Sequence, residues 1–172
     1  MAEENDTKNT NITALTFTLS SEMFAMDIGY VKEVLEYSKI TKVPKTPDYM
    51  LGVINLRGSV APVVDLKMKF NMPQSERTVD TCIIIVEVEI ENSKTIVGIL
   101  ADSVKEVFDF DSSSIEATPT IGLNINVDFI HGIAKHKDDF VMILDINKVF
   151  SIEEINAIGK SKDMPEAKNE DK

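Results

Sequence analysis

The sequence contains no tryptophan, one cysteine and two histidines in 172 residues, and this scarcity excludes several kinds of chemistry. The single cysteine, Cys82, rules out an intrachain disulfide, and its place at the start of an apolar run predicts a small buried side chain. His131 and His136 are five residues apart, so on one strand they point to opposite faces and cannot hold one metal ion together. We expect both histidines at the surface or in a hairpin, and we expect no metal or other cofactor.

Phosphate-binding and catalytic motifs are also missing. The sequence has neither a Walker A loop nor a G-x-G-x-x-G turn. The acids Asp138 and Asp139 are adjacent, as are Glu153 and Glu154, which is typical of solvated loops and helix starts. Cys82 has no basic or histidine neighbour in the sequence that would lower the pKa of its thiol. The sequence therefore favours a binding protein over an enzyme.

Basic residues are outnumbered, since 18 Lys and Arg stand against 29 Asp and Glu and give a formal net charge of −11. Without the terminal segments 1–13 and 159–172, 22 acids and 13 bases remain, so the body itself carries −9. Such a charge repels phosphate backbones and anionic membrane surfaces. With three tyrosines and no tryptophan, the chain also lacks the aromatic face with which a small barrel binds an oligonucleotide. We therefore expect no nucleic-acid partner.

Long apolar runs are absent, since none approaches the ~20 residues that cross a bilayer. The N-terminal residues 1–6 lack the basic and apolar regions of a signal peptide. These two absences predict a cytoplasmic protein without direct membrane insertion. Segments 1–13 and 159–172 are polar and without apolar periodicity, so both are predicted to be disordered tails.

The apolar residues that are present recur mostly with a period of two, which indicates β-strands. Segments Leu15–Leu19 and Phe24–Ile28 alternate in this way and predict an opening hairpin. Segments Thr81–Glu91 and Lys94–Leu100 predict another hairpin. Within the first of these, Ile83–Val86 is continuously apolar, which favours a strand covered on both faces.

Short helices are predicted at a few places between the strands. Val31–Leu35 has apolar residues at helical spacing, which favours one or two helical turns. Asp65 and Asp145 each precede a short apolar-spaced segment, where an aspartate can cap a helix start. Ser151 with an acid three residues later forms a capping box and predicts a final helix over Ser151–Ile158.

The segment Gly52–Leu66, GVINLRGSVAPVVDL, is the most informative stretch. Val53–Leu56 and Ser59–Val64 predict two strands joined by a tight turn, in which Gly58 supplies the positive φ that such turns need. Arg57 then lies at the tip. Its guanidinium is either a solvated turn residue or a group suited to a carboxylate or carbonyls of a partner.

The chain also contains an internal repeat. Residues 48–70 align without a gap on residues 128–150, and the VKEV element Val31–Val34 recurs as Val104–Val107. Arg57-Gly58 becomes Lys137-Asp138, where Asp tolerates the left-handed conformation, so the turn is kept and the arginine is not. The chain is therefore predicted to be a duplicated small all-β module.

The VKEV element, Pro44, Pro47 and above all Gly52–Leu66 resemble the signature of the CheW family of bacterial chemotaxis coupling proteins. The resemblance runs from about Leu15 to about Ile158. With the repeat, it implies a mostly β fold of two small five-stranded SH3-like β-barrel subdomains, with short helices and a short C-terminal helix. A CheW-like domain would span residues 14–158, with copy one at about 15–70 and copy two at about 81–150.

The resemblance further implies a non-enzymatic adaptor that couples transmembrane chemoreceptors to the histidine kinase CheA and is recruited to membrane-associated arrays. A groove between the subdomains would grip the helical tip of a receptor, and another face, whose residues we do not assign, would bind the regulatory domain of CheA. Glu33 is either an exposed acid or a group that orients Arg57 or meets the receptor. An adaptor of the same fold in another chemosensory pathway is the alternative. The residues to which the resemblance assigns receptor binding are Val31, Glu33, Val34, Gly52, Asn55, Leu56, Arg57, Gly58, Val104 and Val107.

Overall fold

The computed structural model describes residues 11–90, 92–117 and 127–150, without the side chains at positions 90 and 127. The predicted helix Ser151–Ile158 and its capping box lie outside the described residues. Residues 1–10 of the first predicted tail and the whole of the second also lie outside them. The first strand begins at Ile12, so residues 12 and 13 of the segment predicted as a disordered tail are in a strand.

The described residues form strands joined by turns and a few short helices. Three single 3₁₀ turns cover Ile28–Tyr30, Ser112–Ser114 and Val127–Phe129, and the α-helical turns are α1 (Leu66–Lys69) and α2 (Ile146–Val149). The strands are β1 (Ile12–Leu19), β2 (Glu22–Asp27), β3 (Val31–Glu36), β4 (Met50–Leu56), β5 (Ser59–Asp65), β6 (Cys82–Ile90), β7 (Ser93–Ala101), β8 (Ser103–Phe110), β9 (Ile115–Glu116), β10 (Ile130–His136) and β11 (Asp139–Leu144).

The strands form two sheets of matching order. The five-stranded sheet runs β3-β6-β7-β5-β4, and the six-stranded sheet runs β8-β1-β2-β11-β10-β9. Each sheet has one parallel pair, β5 with β7 and β2 with β11, in corresponding positions. The repeat seen in the sequence is therefore a repeat of topology, and the prediction of a mostly β fold is confirmed.

Each sheet draws strands from both copies of the repeat. The hairpin β1–β2 opens the first copy but pairs with β8 and β11, whereas β6–β7 opens the second copy and pairs with β3 and β5. The two copies thus exchange their opening hairpins. Neither residues 15–70 nor residues 81–150 contain all strands of one sheet.

A large apolar cluster lies between the sheets, and each sheet has a smaller cluster of its own. Strand β6 contributes to two of them: Ile84 and Val86 belong to the large cluster, and Ile83 and Ile85 to the smaller cluster of the five-stranded sheet. The prediction that this run is covered on both faces is confirmed, since the four side chains are at most 1% exposed. Cys82 is buried as predicted.

The VKEV elements are strands, so the prediction of helical turns over Val31–Leu35 was wrong. β3 pairs with β6, and a bulge between Val31 and Glu33 shifts its register by one residue. This extra residue changes which side chains share a face, so the spacing of apolar residues departs from two and resembles a helical one. The actual helical turn, Ile28–Tyr30, lies just before the strand.

The hairpin and cap predictions have mixed outcomes. The hairpins β1–β2, β4–β5 and β6–β7 are all present. Asp65 caps α1 by accepting a hydrogen bond of 2.9 Å from the Lys67 backbone N–H. Asp145 lies at the same position before α2, but its side chain makes no capping hydrogen bond.

Candidate functional site: the groove between β3 and β8

The two VKEV strands line an open groove, which we call the β3–β8 groove. Its walls are residues 34–36 of β3 and 103–105 of β8, its remaining lining is residues 79–82, and its volume is about 360 Å³. β3 and β8 are edge strands of different sheets. The structure thus brings Val34 and Val104, which were predicted from opposite copies, to one surface feature.

The valines of the two strands divide into two kinds. Val31 and Val104 are partly buried against the cluster between the sheets. Val34 and Val107 are instead 42% and 52% exposed. Because exposed β-branched side chains in corresponding positions offer apolar contact without supporting the core, Val34 and Val107 are the better candidates for partner contact.

Arg57 lies at the tip of the β4–β5 hairpin, as predicted. Arg57 and Gly58 have φ of 54° and 86°, which makes both residues of the two-residue turn left-handed. Asn55 fixes the turn by accepting a hydrogen bond of 2.8 Å from the Gly58 N–H through its Oδ1. Asn55 and Gly58, both carried over as receptor-binding residues, therefore shape the turn that presents Arg57.

The Arg57 guanidinium is held in a two-pronged ion pair with Glu33 on β3. Nη1 lies 2.5 Å from Oε2, and Nη2 donates to Oε1 at 2.9 Å. The hydrogen bonds from Arg57 hold the pKa of Glu33 below its usual value, and the same contact raises the pKa of Arg57. The Arg57 side chain is nevertheless 72% exposed. It is therefore an oriented cation that can still donate to a partner.

The second copy contains a corresponding ion pair that the sequence reasoning missed. Lys137 Nζ lies 3.0 Å from Glu106 Oε2, and His136 Nε2 lies 2.9 Å from the same oxygen. The hydrogen bond with His136, followed by that with Lys137, lowers the pKa of Glu106. The repeat places Lys137 on Arg57 and Glu106 on Glu33, so the sequence did carry the signal.

His136 corrects one expectation. It is buried, with its ring centroid 4.1 Å from that of Phe108, rather than at the surface. Its place at the end of β10 beside the turn agrees with the alternative expectation of a hairpin residue. His131 is exposed on the opposite face of the strand, as the parity predicted.

Gly52 has a structural explanation. Its φ is +149°, it lies at a bulge in the β4–β5 ladder, and an added Cβ would come within 2.2 Å of the Thr41 carbonyl oxygen. Thr41 bridges to Val53 there. Gly132 in the second copy is also crowded but less so, because a Cβ would lie 2.5 Å from Ile115 Cγ2 and 2.9 Å from the Glu116 carbonyl oxygen. Gly52 thus permits a close backbone approach, and Leu56 packs against the smaller cluster of its sheet.

Chemistry beyond binding finds no support in the described part of the chain. No group of three His, Cys, Asp or Glu there could hold a metal ion. Burial, followed by the charges of Asp80 and Asp102, raises the pKa of the Cys82 thiol, which disfavours a nucleophilic thiolate. No helix within residues 11–90, 92–117 and 127–150 is long and apolar enough to cross a membrane.

Two packed sheets with an open groove between their edge strands, and ion pairs anchored on those strands, define a double-sheet protein with a surface suited to binding a partner. The sequence model of the CheW-like domain matches residues 13–154. The chain therefore belongs to the CheW-like domain family.

Individual relatives agree with this assignment. The chain is 35% identical to the chemotaxis protein CheW of Bacillus subtilis over 141 residues, which cover 81% of this chain and 86% of that protein. It is 30% identical to the chemotaxis protein CheW of Klebsiella aerogenes over 141 residues, 82% of each chain. The crystal structure of the scaffolding protein TtCheW from Thermoanaerobacter tengcongensis is similar with a TM-score of 0.74 and 36% identity, covering 84% of this chain and 91% of that one.

Proposed function

We propose that this protein is a chemotaxis scaffold that couples the cytoplasmic tips of transmembrane chemoreceptors to the histidine kinase CheA. The proposal is supported by the chain's membership of the CheW-like domain family. The observation that carries the receptor half of it is the Arg57–Glu33 pair, an exposed guanidinium fixed in direction by an acid on a wall strand of the β3–β8 groove.

A helix is the partner that fits such a groove. Helices that bind in grooves take most of their affinity from apolar anchors and their register from a few polar groups. Val34 and Val107 supply exposed apolar contact, and Arg57 supplies the polar contact. Because Glu33 already orients the guanidinium, less side-chain entropy is lost when a receptor carboxylate or carbonyl accepts from it.

The second partner is the regulatory domain of CheA, bound at a surface away from the groove. We assign no residues to that surface. Each contact would have an affinity around micromolar, as is usual for signalling interfaces. Repetition of the contacts in a membrane-associated array would supply the rest of the binding strength. A small shift at the groove would then bias the geometry of the kinase.

The experiment that tests this proposal is a calorimetric titration of the full chain with two partners separately, a soluble receptor-tip hairpin and the CheA regulatory domain. The variant is Arg57→Asn, because Asn accepts the left-handed φ and forms, with Gly58, the favoured pair for this turn. Wild type should bind both partners. Arg57→Asn should weaken receptor binding about tenfold or more, without changing kinase binding or the thermal midpoint.

Two outcomes would contradict the proposal. If the wild type binds neither partner, the coupling function is wrong and the adaptor serves another chemosensory pathway. If Arg57→Asn lowers both the receptor affinity and the thermal midpoint, Arg57 is a structural residue.

A further inference from the structure

The two ion pairs occupy corresponding positions in the repeat. Glu33 and Glu106 lie on the strands β3 and β8, which form the two walls of the groove. Their partners Arg57 and Lys137 are each the first residue of a two-residue turn, with φ of 54° and 52°. Each ion pair joins an edge strand of a sheet to the hairpin at the other side of that sheet. The charged pairs thus correspond to each other in the same way as the strands of the two sheets.

The second pair is built differently and is no less accessible. Lys137 is 71% exposed, close to the 72% of Arg57. Beneath it the buried His136 binds the same Glu106 oxygen and fixes the carboxylate. Exposed apolar surface lies on the same two elements, since Val107 follows Glu106 on β8 and Phe140, 69% exposed, lies just after the Lys137 turn. The first copy has the same combination, since Arg57 pairs with Glu33 and the exposed Val34 follows Glu33 on β3.

We propose that Glu106 and Lys137 form a second charged anchor for the receptor tip, on the wall opposite the Arg57–Glu33 pair. This inference rests on the proposed function. A site with two similar halves fits a partner with two similar arms, and an antiparallel helical hairpin presents two helices related in that way. One helix contacts Arg57 and Val34, and the other contacts Lys137 and Val107.

The differences between the halves select one of the two orientations of the hairpin. The guanidinium of Arg57 is a planar fork that suits a two-oxygen acceptor, whereas the Lys137 ammonium is a point charge that accepts any nearby oxygen. Phe140 adds apolar area on the lysine side, where the first copy has the smaller Val60. The reversed hairpin would lose the two-pronged contact and leave Phe140 exposed.

The test is a calorimetric titration of the full chain with the soluble receptor-tip hairpin, using Lys137→Asn beside Arg57→Asn. Asn keeps the left-handed turn position in both cases and removes one positive charge. The matched control is Lys94→Asn, which removes the same charge from an exposed position on β7, away from both ion pairs. Thermal midpoints are measured for all variants.

Lys137→Asn should weaken receptor binding about fivefold or more with an unchanged thermal midpoint, while Lys94→Asn stays within about twofold of wild type. If Lys137→Asn binds like wild type while Arg57→Asn is weakened, the second anchor is wrong and the proposed function stands. If wild type does not bind the hairpin, both proposals are wrong. If Lys137→Asn lowers the thermal midpoint as well as the affinity, the Lys137 pair is a structural contact and the inference is wrong.

Discussion

The buried Lys67 is the residue whose replacement tests most directly how the two sheets are held together. Its side chain is 3% exposed, and Nζ donates to Asp102 Oδ1 at 2.7 Å and to Ser75 Oγ at 2.8 Å. Asp102 Oδ2 in turn accepts from the Ser20 N–H at 2.7 Å and from Ser75 at 2.9 Å. Lys67 follows β5 of one sheet and Ser20 follows β1 of the other, so the network ties both sheets.

The expected cost of Lys67→Met follows from this burial. Removing one partner of a fully buried ion pair costs about 3–5 kcal/mol, because the other charge is left uncompensated. The Asp102 side chain keeps 23% of its surface exposed, so water screens the remaining charge and we expect about 2–3 kcal/mol. For a domain of this size the thermal midpoint should fall by roughly 4–12 °C.

The pH dependence gives a second readout of the same contact. Burial alone would raise the pKa of Asp102, but hydrogen bonds from Lys67, the Ser20 N–H and Ser75 outweigh it and lower the pKa below the ordinary 3.8. A folded-state pKa below the unfolded one adds stability that is complete above about pH 5 and is lost as the pH falls through the folded-state pKa. Lys67→Met should therefore flatten the loss of stability below pH 4.

A double-mutant cycle measured by urea unfolding completes the test. Asp102→Asn and Lys67→Met each remove one charge of the pair, so their combined cost should be smaller than the sum of the single costs by about 1 kcal/mol or more. Strict additivity, or a single Lys67→Met cost within about 0.5 kcal/mol of zero, would refute the role assigned to the pair.

Two further predictions concern buried positions of the β4–β5 region. Burial, opposed in part by the hydrogen bond from the Lys67 N–H, raises the pKa of Asp65. Its contribution to stability is therefore complete below its unfolded-state pKa and is lost as the pH rises through its folded-state pKa. Asp65→Asn, which keeps a capping oxygen, should be at least as stable as wild type at pH 7 in urea unfolding. A marked destabilisation would show that the charge itself is needed. Gly52→Ala should cost about 3 kcal/mol or more, because its Cβ would meet the Thr41 carbonyl. The control Gly58→Ala, where no atom lies within 4 Å of the new Cβ, should cost about 1 kcal/mol from its positive φ alone, and equal costs for the two would contradict the steric argument.

Strands and turns were predictable where local signals decide them. The period of two located the hairpins. The flanking strands predict a turn at Arg57-Gly58 and the repeat predicts one at Lys137-Asp138, and all four residues have the left-handed φ of such turns. The same period failed at Val31–Leu35, because a bulge is set by pairing with β6 and not by the segment itself. Burial of His136 likewise depends on Phe108, which is distant in sequence.

The site was predictable only in part for a related reason. The resemblance selected Arg57 and Glu33 and offered contact between them as one alternative. Their ion pair forms because β3 and the β4–β5 turn meet across the sheet, which the sequence alone does not show. The partner residues Glu106 and Lys137 were visible in the repeat, but the sequence predicts only that the turn is kept and the arginine is not. The structure shows instead that the ion pair is kept with a different cation.

The exchange of hairpins has a consequence for how the groove forms. Among the described strands, β3 pairs with β6 alone, and β8 pairs with β1 alone. Each wall of the groove is therefore supported by a strand from the other copy of the repeat, and neither copy alone can hold its own wall strand. Because both walls need both copies, we expect the groove to form together with the cluster between the sheets. The Lys67–Asp102 contact joins the sheets one residue before Ser103, where the β8 wall begins, so we expect its loss to change the groove as well as the stability.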